Sequence, residues 1–97
     1  MKSLQTLDLN LLKAFVALMD EQSVSKAAER LAITQPAMSG VLARLRDSFD
    51  DPLFVRVQRG VVPTNRALEL APQVKKVLNE VEQLLQSPQF DPTTAEL

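Results

Sequence analysis

The chain has 97 residues, of which 45% are hydrophobic, and its formal net charge is −1. This length suits one small domain with a modest core and an appended element, and a second full domain is not expected. Cysteine and histidine are absent, which excludes disulfide frameworks, zinc fingers, thiol nucleophiles and imidazole bases. No apolar segment has the length of a signal peptide core or a membrane span, so we expect a cytoplasmic protein without membrane, metal or cofactor.

Positive charge is concentrated in the middle of the sequence. Residues 26–66 carry seven basic side chains against four acidic ones, and six of the seven are arginine. Acidic side chains outnumber basic ones on either side of this segment. Such a distribution is typical of a surface that binds nucleic acid, but an ordinary solvated surface explains it equally well.

Two short helices are predicted in the first third of the chain. Apolar residues recur at helical spacing after Asp8, a good N-cap, which predicts a first helix over residues 9–21. Ser23 is suited to cap a second helix over residues 24–31, whose alanines permit a close crossing with a neighbouring helix. We expect Ile33, in the turn that follows, to fill the core.

The stretch ITQPAMSGVLARL, residues 33–45, predicts a third helix with little side chain on its outward face. Thr34 is suited to cap it, and Pro36 is tolerated in the first turn because the amides there have no helical partner to lose. At about 100° per residue, the apolar side is formed by Met38, Leu42, Leu45 and Phe49. The outward pole holds Pro36, Gly40, Ala43 and Asp47, with Gln35, Ser39 and Arg46 on one flank and Ala37 and Arg44 on the other. Of these, Arg46 lies near the buried edge.

A β-hairpin is predicted after Asp50-Asp51-Pro52, which stops the third helix. Residues 53–57, LFVRV, are rich in strand formers, and residues 60–62 form a second short strand candidate. The turn between them is predicted over residues 58–60, with Gly60 able to take a positive φ. Because a two-stranded hairpin is only marginally stable alone, we expect it to lean on the helices.

A long amphipathic helix is predicted over residues 65–86, capped by Thr64. Its apolar residues alternate in steps of four and three, as in an a/d seam: Ala67, Ala71, Val74, Leu78, Val81 and Leu85. The helix would be about 33 Å long, more than a small domain covers, which favours pairing with a second copy over folding back on its own domain. Pro72 predicts a kink or a break near residues 68–72.

Together these elements predict a mainly α fold with a winged helix-turn-helix arrangement. Three helices and a two-stranded β-hairpin wing occupy residues 1–63, a long dimerisation helix residues 64–87, and a hinge residues 88–97. In this arrangement the third helix, residues 34–49, enters the major groove of DNA, where small outward side chains let the backbone approach the base edges. Gln35 and Ser39 can hydrogen-bond to bases, and Pro36 can pack on a thymine methyl group.

The sequence resembles the N-terminal domain of LysR-type transcriptional regulators from about Leu9 to Leu85. The most specific segments are SVSKAAERL (23–31), ITQPAMS (33–39), DPLFVR (51–56) and PTNRA (63–67). The resemblance implies sequence-specific binding of double-stranded DNA and a homodimer through the linker helix, with a tetramer left open. It also implies that a small-molecule effector would bind only in a C-terminal domain outside these residues.

The resemblance further implies roles for individual residues. Gln35 and Pro36 look like base contacts, Ser39 a base or phosphate contact, and Arg59 the wing-tip residue for the minor groove. Many family members carry a basic residue where this chain has Gly40, so readout there is expected to rest on shape or on neighbours. The full set expected at DNA is Ser23, Ser25, Thr34, Gln35, Pro36, Ser39, Gly40, Ala43, Arg44, Arg56, Arg59 and Thr64.

Each assignment has a competing interpretation. The hydroxyls of Ser23, Thr34 and Thr64 are expected to cap helices first, and Arg56 can be an ordinary strand residue. The alternative function is a helical protein–protein interaction module that docks its partner on the last helix. Enzyme activity is not expected, because no acidic residue lies in an apolar or strand-end context and two glycines cannot build a phosphate-cradling loop.

Overall fold

The computed structural model describes residues 7–86. Its elements follow the predicted order: α1 (Leu9–Glu21), α2 (Val24–Leu31), α3 (Gln35–Phe49), β1 (Phe54–Val57), β2 (Gly60–Pro63) and α4 (Asn65–Gln86). The mainly helical fold with a two-stranded hairpin is therefore confirmed. The predicted hinge over residues 88–97 lies outside the described residues, and the division of the chain at residues 63 and 87 stays a prediction.

Every helix begins at a side-chain cap that the sequence predicts. The oxygens of Asp8, Ser23, Thr34 and Thr64 each accept a hydrogen bond from the backbone N–H three residues later, over 3.0 to 3.2 Å. The first three helices each end in a residue with left-handed backbone: Gln22, Ala32 and Asp50. Capping at both ends keeps these helices short and the connections between them tight.

The core lies between α1, the buried face of α3 and the wing. Phe15 of α1 and Phe54 of β1 are fully buried, and their ring centroids lie 5.5 Å apart. From α3 the core receives Met38, Leu42 and Leu45, the buried side that the helical spacing predicts. α3 thus has one face fixed in the core, which leaves the opposite face to solvent.

The prediction that Ile33 fills the core is wrong. Its side chain is 37% exposed, while Leu31 before it packs against the core and Met38 after it is fully buried. The chain reverses at Ala32, which is left-handed, and the N–H of Ile33 donates to the carbonyl of Ala28 over 3.0 Å. The turn therefore uses the backbone of Ile33 to close α2 and directs its side chain outward.

The hairpin differs from its prediction at both ends. Leu53 is not part of the strand, because it has a left-handed backbone with φ +62° and buries its side chain completely. At the tip, Gly60 already pairs with Val57 in the antiparallel ladder, so the turn consists of Gln58 and Arg59 alone. The short turn places Arg59 at the extreme end of the wing.

The first half of α4 belongs to the chain's own core, which corrects part of the predicted dimerisation seam. Ala67, Ala71 and Val74 are buried together with Leu70, and α4 packs against α1. Further along the seam, Leu78 and Val81 are half-buried and Leu85 is 74% exposed. A periodic seam cannot distinguish a partner subunit from the chain's own core, since both present an apolar surface.

Helix α4 is continuous from Asn65 to Gln86, so Pro72 does not break it. An ion pair between Lys75 and Asp20, 3.9 Å apart, adds a polar contact between α4 and the end of α1. No helix within residues 7–86 is both long and apolar enough to span a bilayer.

Candidate nucleic-acid interface

The outward face of α3 is open along its first half. Every predicted contact residue there is exposed: Gln35, Pro36, Ser39, Gly40 and Ala43. A Cβ atom built on Gly40 has no neighbour within 4 Å, so the face is bare because of its residue types and not because another element covers it. A capped helix whose outward side chains are small can bring its backbone close to the base edges in the major groove of DNA.

The wing and the start of α2 enclose a cleft beside this face. The cleft has a volume of about 240 Å³ and is lined by Ser23, Val24, Ser25, Gln35, Arg56, Arg59, Gly60 and Val61. It brings together five residues predicted at DNA that are far apart in sequence. Two hydroxyl side chains, two guanidinium groups and an amide thus face one space, a set suited to phosphate and base-edge hydrogen bonds.

The lining of the cleft carries two arginines and no acidic side chain. The guanidinium groups of Arg56 and Arg59 make no hydrogen bond or ion pair with any other residue in the described range 7–86. The hydroxyls of Ser23 and Ser25 lie 3.2 Å apart at the N-terminus of α2, where unpaired backbone N–H groups also favour an anion. The charge of the wing is therefore available to a polyanion.

Other basic side chains are engaged within the fold. Arg30 binds Asp20 at 2.9 Å and Glu21 at 3.4 Å, and its hydrogen bond with Asp20 raises its pKa above the ordinary value. Arg44 lies away from the cleft, and its Nη2 atom is 3.6 Å from a carboxylate oxygen of Asp8. Its side chain is still 60% exposed, so the pairing leaves the guanidinium accessible.

Thr64 also lies outside the cleft, and its hydroxyl is used inside the fold. It donates to the Asp51 carboxylate over 2.8 Å and accepts from the N–H of Ala67 over 3.1 Å. The same carboxylate oxygen accepts from the N–H of Leu53 over 2.8 Å. This Asp51–Thr64 pair joins the α3–β1 loop to the start of α4, a link that the sequence analysis did not predict.

Arg46 has a similar structural role. Its guanidinium donates to the carbonyl of Pro52 over 2.9 Å and to that of Phe54 over 2.8 Å, which fixes the loop that leads into the wing. Helical periodicity places Arg46 near the buried edge of α3, so the sequence already argues against a DNA contact. Its carbonyl partners carry no signal in the sequence, because they are backbone atoms of the loop and of the first residue of β1.

A protein-family model matches the part of the sequence that forms this interface. The profile described as "Bacterial regulatory helix-turn-helix protein, lysR family" matches residues 9–68, which is more than half of the chain. The chain belongs to the LysR family. Within the LysR domain the match runs from the start of α1 to the first turn of α4, so it includes α3, the wing and the cleft between them.

Curated relatives of this LysR chain include transcriptional regulators. The regulator LeuO of Escherichia coli (strain K12) is 44% identical over 93 residues, and the activator NahR of Pseudomonas putida is 47% identical over 94. Each match covers 96% of this chain. The chain spans about 30% of the length of these relatives.

Solved structures include complexes with DNA. The complex of the BenM DBD with catB site 1 DNA has a TM-score of 0.80 and 31% identity, and covers 86% of this chain and 93% of that chain. The probable transcriptional regulator PA0477 from Pseudomonas aeruginosa has a TM-score of 0.80 and 41% identity, and covers 95% of this chain and 31% of that one. The LysR fold of residues 7–86 is therefore that of a winged helix-turn-helix domain.

Proposed function

We propose that this LysR chain binds double-stranded DNA in a sequence-specific way, as the DNA-binding part of a cytoplasmic, non-enzymatic transcriptional regulator. Helix α3 enters the major groove and the wing lies at the adjacent minor groove. The observation that carries the proposal is the bare, exposed first half of α3 beside a cleft with two arginines that have no acidic partner among the described residues. The solved BenM DBD complex with DNA, which has the same fold, supports it.

The exposed side chains divide into base and backbone contacts. Gln35 and Ser39 present hydrogen-bonding groups and Pro36 an apolar surface, which suits base edges. Arg59 at the wing tip suits the narrow minor groove, where the negative potential is strongest. Phosphate contacts are assigned to most of the remaining predicted residues, with Gly40 and Ala43 providing clearance: Ser23, Ser25, Thr34, Arg44 and Arg56. Thr64 is left out of this set, because its hydroxyl proton is donated to Asp51.

Replacing one residue of each class separates the two kinds of contact. Gln35→Ala is expected to cost about 1 to 3 kcal/mol of binding free energy and to relax the preference at one base position. Arg59→Ala is expected to weaken binding to all sequences and to lower the slope of log K against log salt by about 1. The measurement is fluorescence anisotropy with duplexes obtained by selection on this protein, repeated over a range of salt concentrations.

The matched control is Lys76→Ala, which removes an exposed cation from the middle of α4. It is expected to leave both affinity and salt slope unchanged. If selected DNA binds equally well to the parent chain, Gln35→Ala and Arg59→Ala, the assignment of the interface is wrong.

We also infer a homodimer through α4, with a tetramer left open. The exposed apolar residues of its outer part support this inference, because Val77 is 42% exposed and Leu85 is 74% exposed. An apolar groove between α1 and α4 continues the surface, with Leu9, Leu12 and Leu70 among its lining residues. A two-fold dimer would present two α3 helices to a pseudo-palindromic site.

The alternative, a protein–protein interaction module that uses α4, is not favoured. The inner half of the α4 seam is occupied by the chain's own core, which leaves a shorter apolar surface than the sequence predicts. The alternative function also gives no role to the bare face of α3 or to the arginines of the cleft. Salt separates the two functions, since apolar helix docking is nearly insensitive to ionic strength whereas DNA binding weakens steeply.

A further inference from the structure

The wing touches the rest of the domain at a backbone contact between its tip and the α1–α2 turn. The N–H of Val61 donates to the carbonyl oxygen of Gln22 over 3.1 Å. A Cβ atom on the neighbouring Gly60 would lie 2.3 Å from that same oxygen and 3.4 Å from its carbon. The first distance is far inside van der Waals contact, so only a residue without a side chain lets the wing close here.

The backbone conformation is restricted on both sides of this contact. Gly60 has φ +134°, a conformation that residues with a side chain rarely adopt. Gln22 ends α1 with a left-handed backbone, and its N–H donates to the carbonyl of Leu18 over 2.9 Å. Ser23, the next residue, caps α2. The Gln22 oxygen is therefore held between two capped helices, and any relief of a clash must come from the wing.

The position of the wing tip decides where its arginines lie. Gly60 directly follows Arg59, and Arg56 pairs with Val61 in the ladder. Both arginines line the cleft opposite Ser25 and Gln35. Near its base the hairpin is held by Phe54 in the core, but its tip consists of exposed residues apart from Val61, which is 2% exposed, and half-buried Gly60.

We propose that Gly60 is a positioning residue, whose close approach to the Gln22 carbonyl fixes the wing arginines at a set distance from the start of α3. The inference rests on the proposed DNA-binding function. Arg56 and Arg59 then engage the duplex while α3 occupies the major groove. Without the contact the hairpin swings outward and α3 binds alone.

Gly60→Ala tests the proposal against DNA selected on the parent chain. We expect at least about a tenfold loss of affinity and a salt slope lower by about 1 to 2, since the wing arginines no longer release counterions. In the Gly60→Ala background, the further change Arg59→Ala is expected to alter affinity less than twofold, because a displaced Arg59 no longer contacts DNA. In the parent chain, Arg59→Ala is expected to have its full effect on affinity. Urea unfolding defines conditions in which every variant is folded.

A purely structural role for Gly60 would lower the urea midpoint but leave the salt slope and the effect of Arg59→Ala unchanged, which would overturn the proposal. If Gly60→Ala does not fold, the test uses a glycine inserted between Arg59 and Gly60. This insertion at an exposed turn adds no Cβ atom near Gln22 but moves Arg59 relative to the contact. An unchanged affinity and salt slope in the insertion variant would also overturn the proposal.

These outcomes are separable from failure of the proposed function. If the parent chain selects no DNA sequence and binds none with a steep salt dependence, the function itself fails. If the parent binds and Gln35→Ala weakens it while Gly60→Ala and the insertion do not, only the positioning role fails.

Discussion

At the scale of single residues, the polar side chains of this domain divide into those that build the fold and those left to a ligand. Arg46, Asp51 and Thr64 bind backbone or side-chain atoms of the loops around the wing. Gln35 and Ser39 are exposed on α3, and no hydrogen bond of their side chains is seen within residues 7–86. The second group is therefore the one whose replacement should change binding without changing stability.

A comparison of two capping threonines tests this division. Thr64→Val loses the cap of α4 and the hydrogen bond to Asp51, and we expect it to lower the free energy of unfolding by about 2 kcal/mol. Thr34→Val, the matched control, loses only the cap of α3 at an exposed position, which should cost about 1 kcal/mol. Urea unfolding of both variants measures the difference. Equal losses would show that the Asp51–Thr64 bond contributes nothing.

At the scale of elements, one face of each helix is fixed by packing and the other is available for function. In α3 the two faces correspond to buried Met38, Leu42 and Leu45 and to the bare outward stripe. In α4 the division runs along the length of the helix as well, because its first turns pack on the domain and its last turns extend beyond it. The two parts of α4 should therefore respond differently to substitution.

Substitutions in the two halves of α4 test this difference. Leu85→Glu places a charge on the exposed outer part and is expected to weaken dimerisation by at least about tenfold, with little change in monomer stability. Val74→Ala opens a gap in the core and is expected to cost about 2 kcal/mol of unfolding free energy, with little change in association. Analytical ultracentrifugation and urea unfolding give the two quantities. A dimer insensitive to Leu85→Glu would place the interface elsewhere.

At the scale of the whole molecule, a single core includes residues from α1 through the first half of α4. Ala67, Leu70, Ala71 and Val74 all belong to the same buried cluster as Phe15 and Phe54. The predicted boundary at residue 63 therefore crosses the core, although it follows the end of the wing. We therefore expect the three helices and the wing to need the start of α4 for their stability, since a small domain buries little apolar surface.

Two truncations test the extent of the folding unit. A chain that ends at residue 63 lacks the four core residues of α4, and we expect no cooperative unfolding transition from it. A chain that ends at Asn79 keeps them but lacks Leu85, and we expect a folded monomer with weaker affinity for a two-fold DNA site. Circular dichroism with urea and a mass measurement in solution distinguish the two. Cooperative unfolding of the shorter chain would show that α4 is dispensable.

Much of this molecule follows from local sequence alone. The helices, their caps at Asp8, Ser23, Thr34 and Thr64, and the buried face of α3 all depend on residues within a few positions of one another. Periodicity and capping therefore predict them correctly. The bare face of α3 is predicted for the same reason, because it is the complement of the apolar stripe.

Tertiary structure decides what depends on residues distant in sequence. Whether Ala67 and Val74 face a partner or the chain's own core is set by how α4 lies against α1, and periodicity is the same in both cases. The exposure of Ile33 follows from the chain reversal at left-handed Ala32, where the N–H of Ile33 bonds back to Ala28. Gly60 approaches the backbone of Gln22, which lies 38 residues earlier in the sequence. Because every residue has the same backbone atoms, the sequence gives no sign of this contact, and only the folded chain shows why position 60 needs glycine.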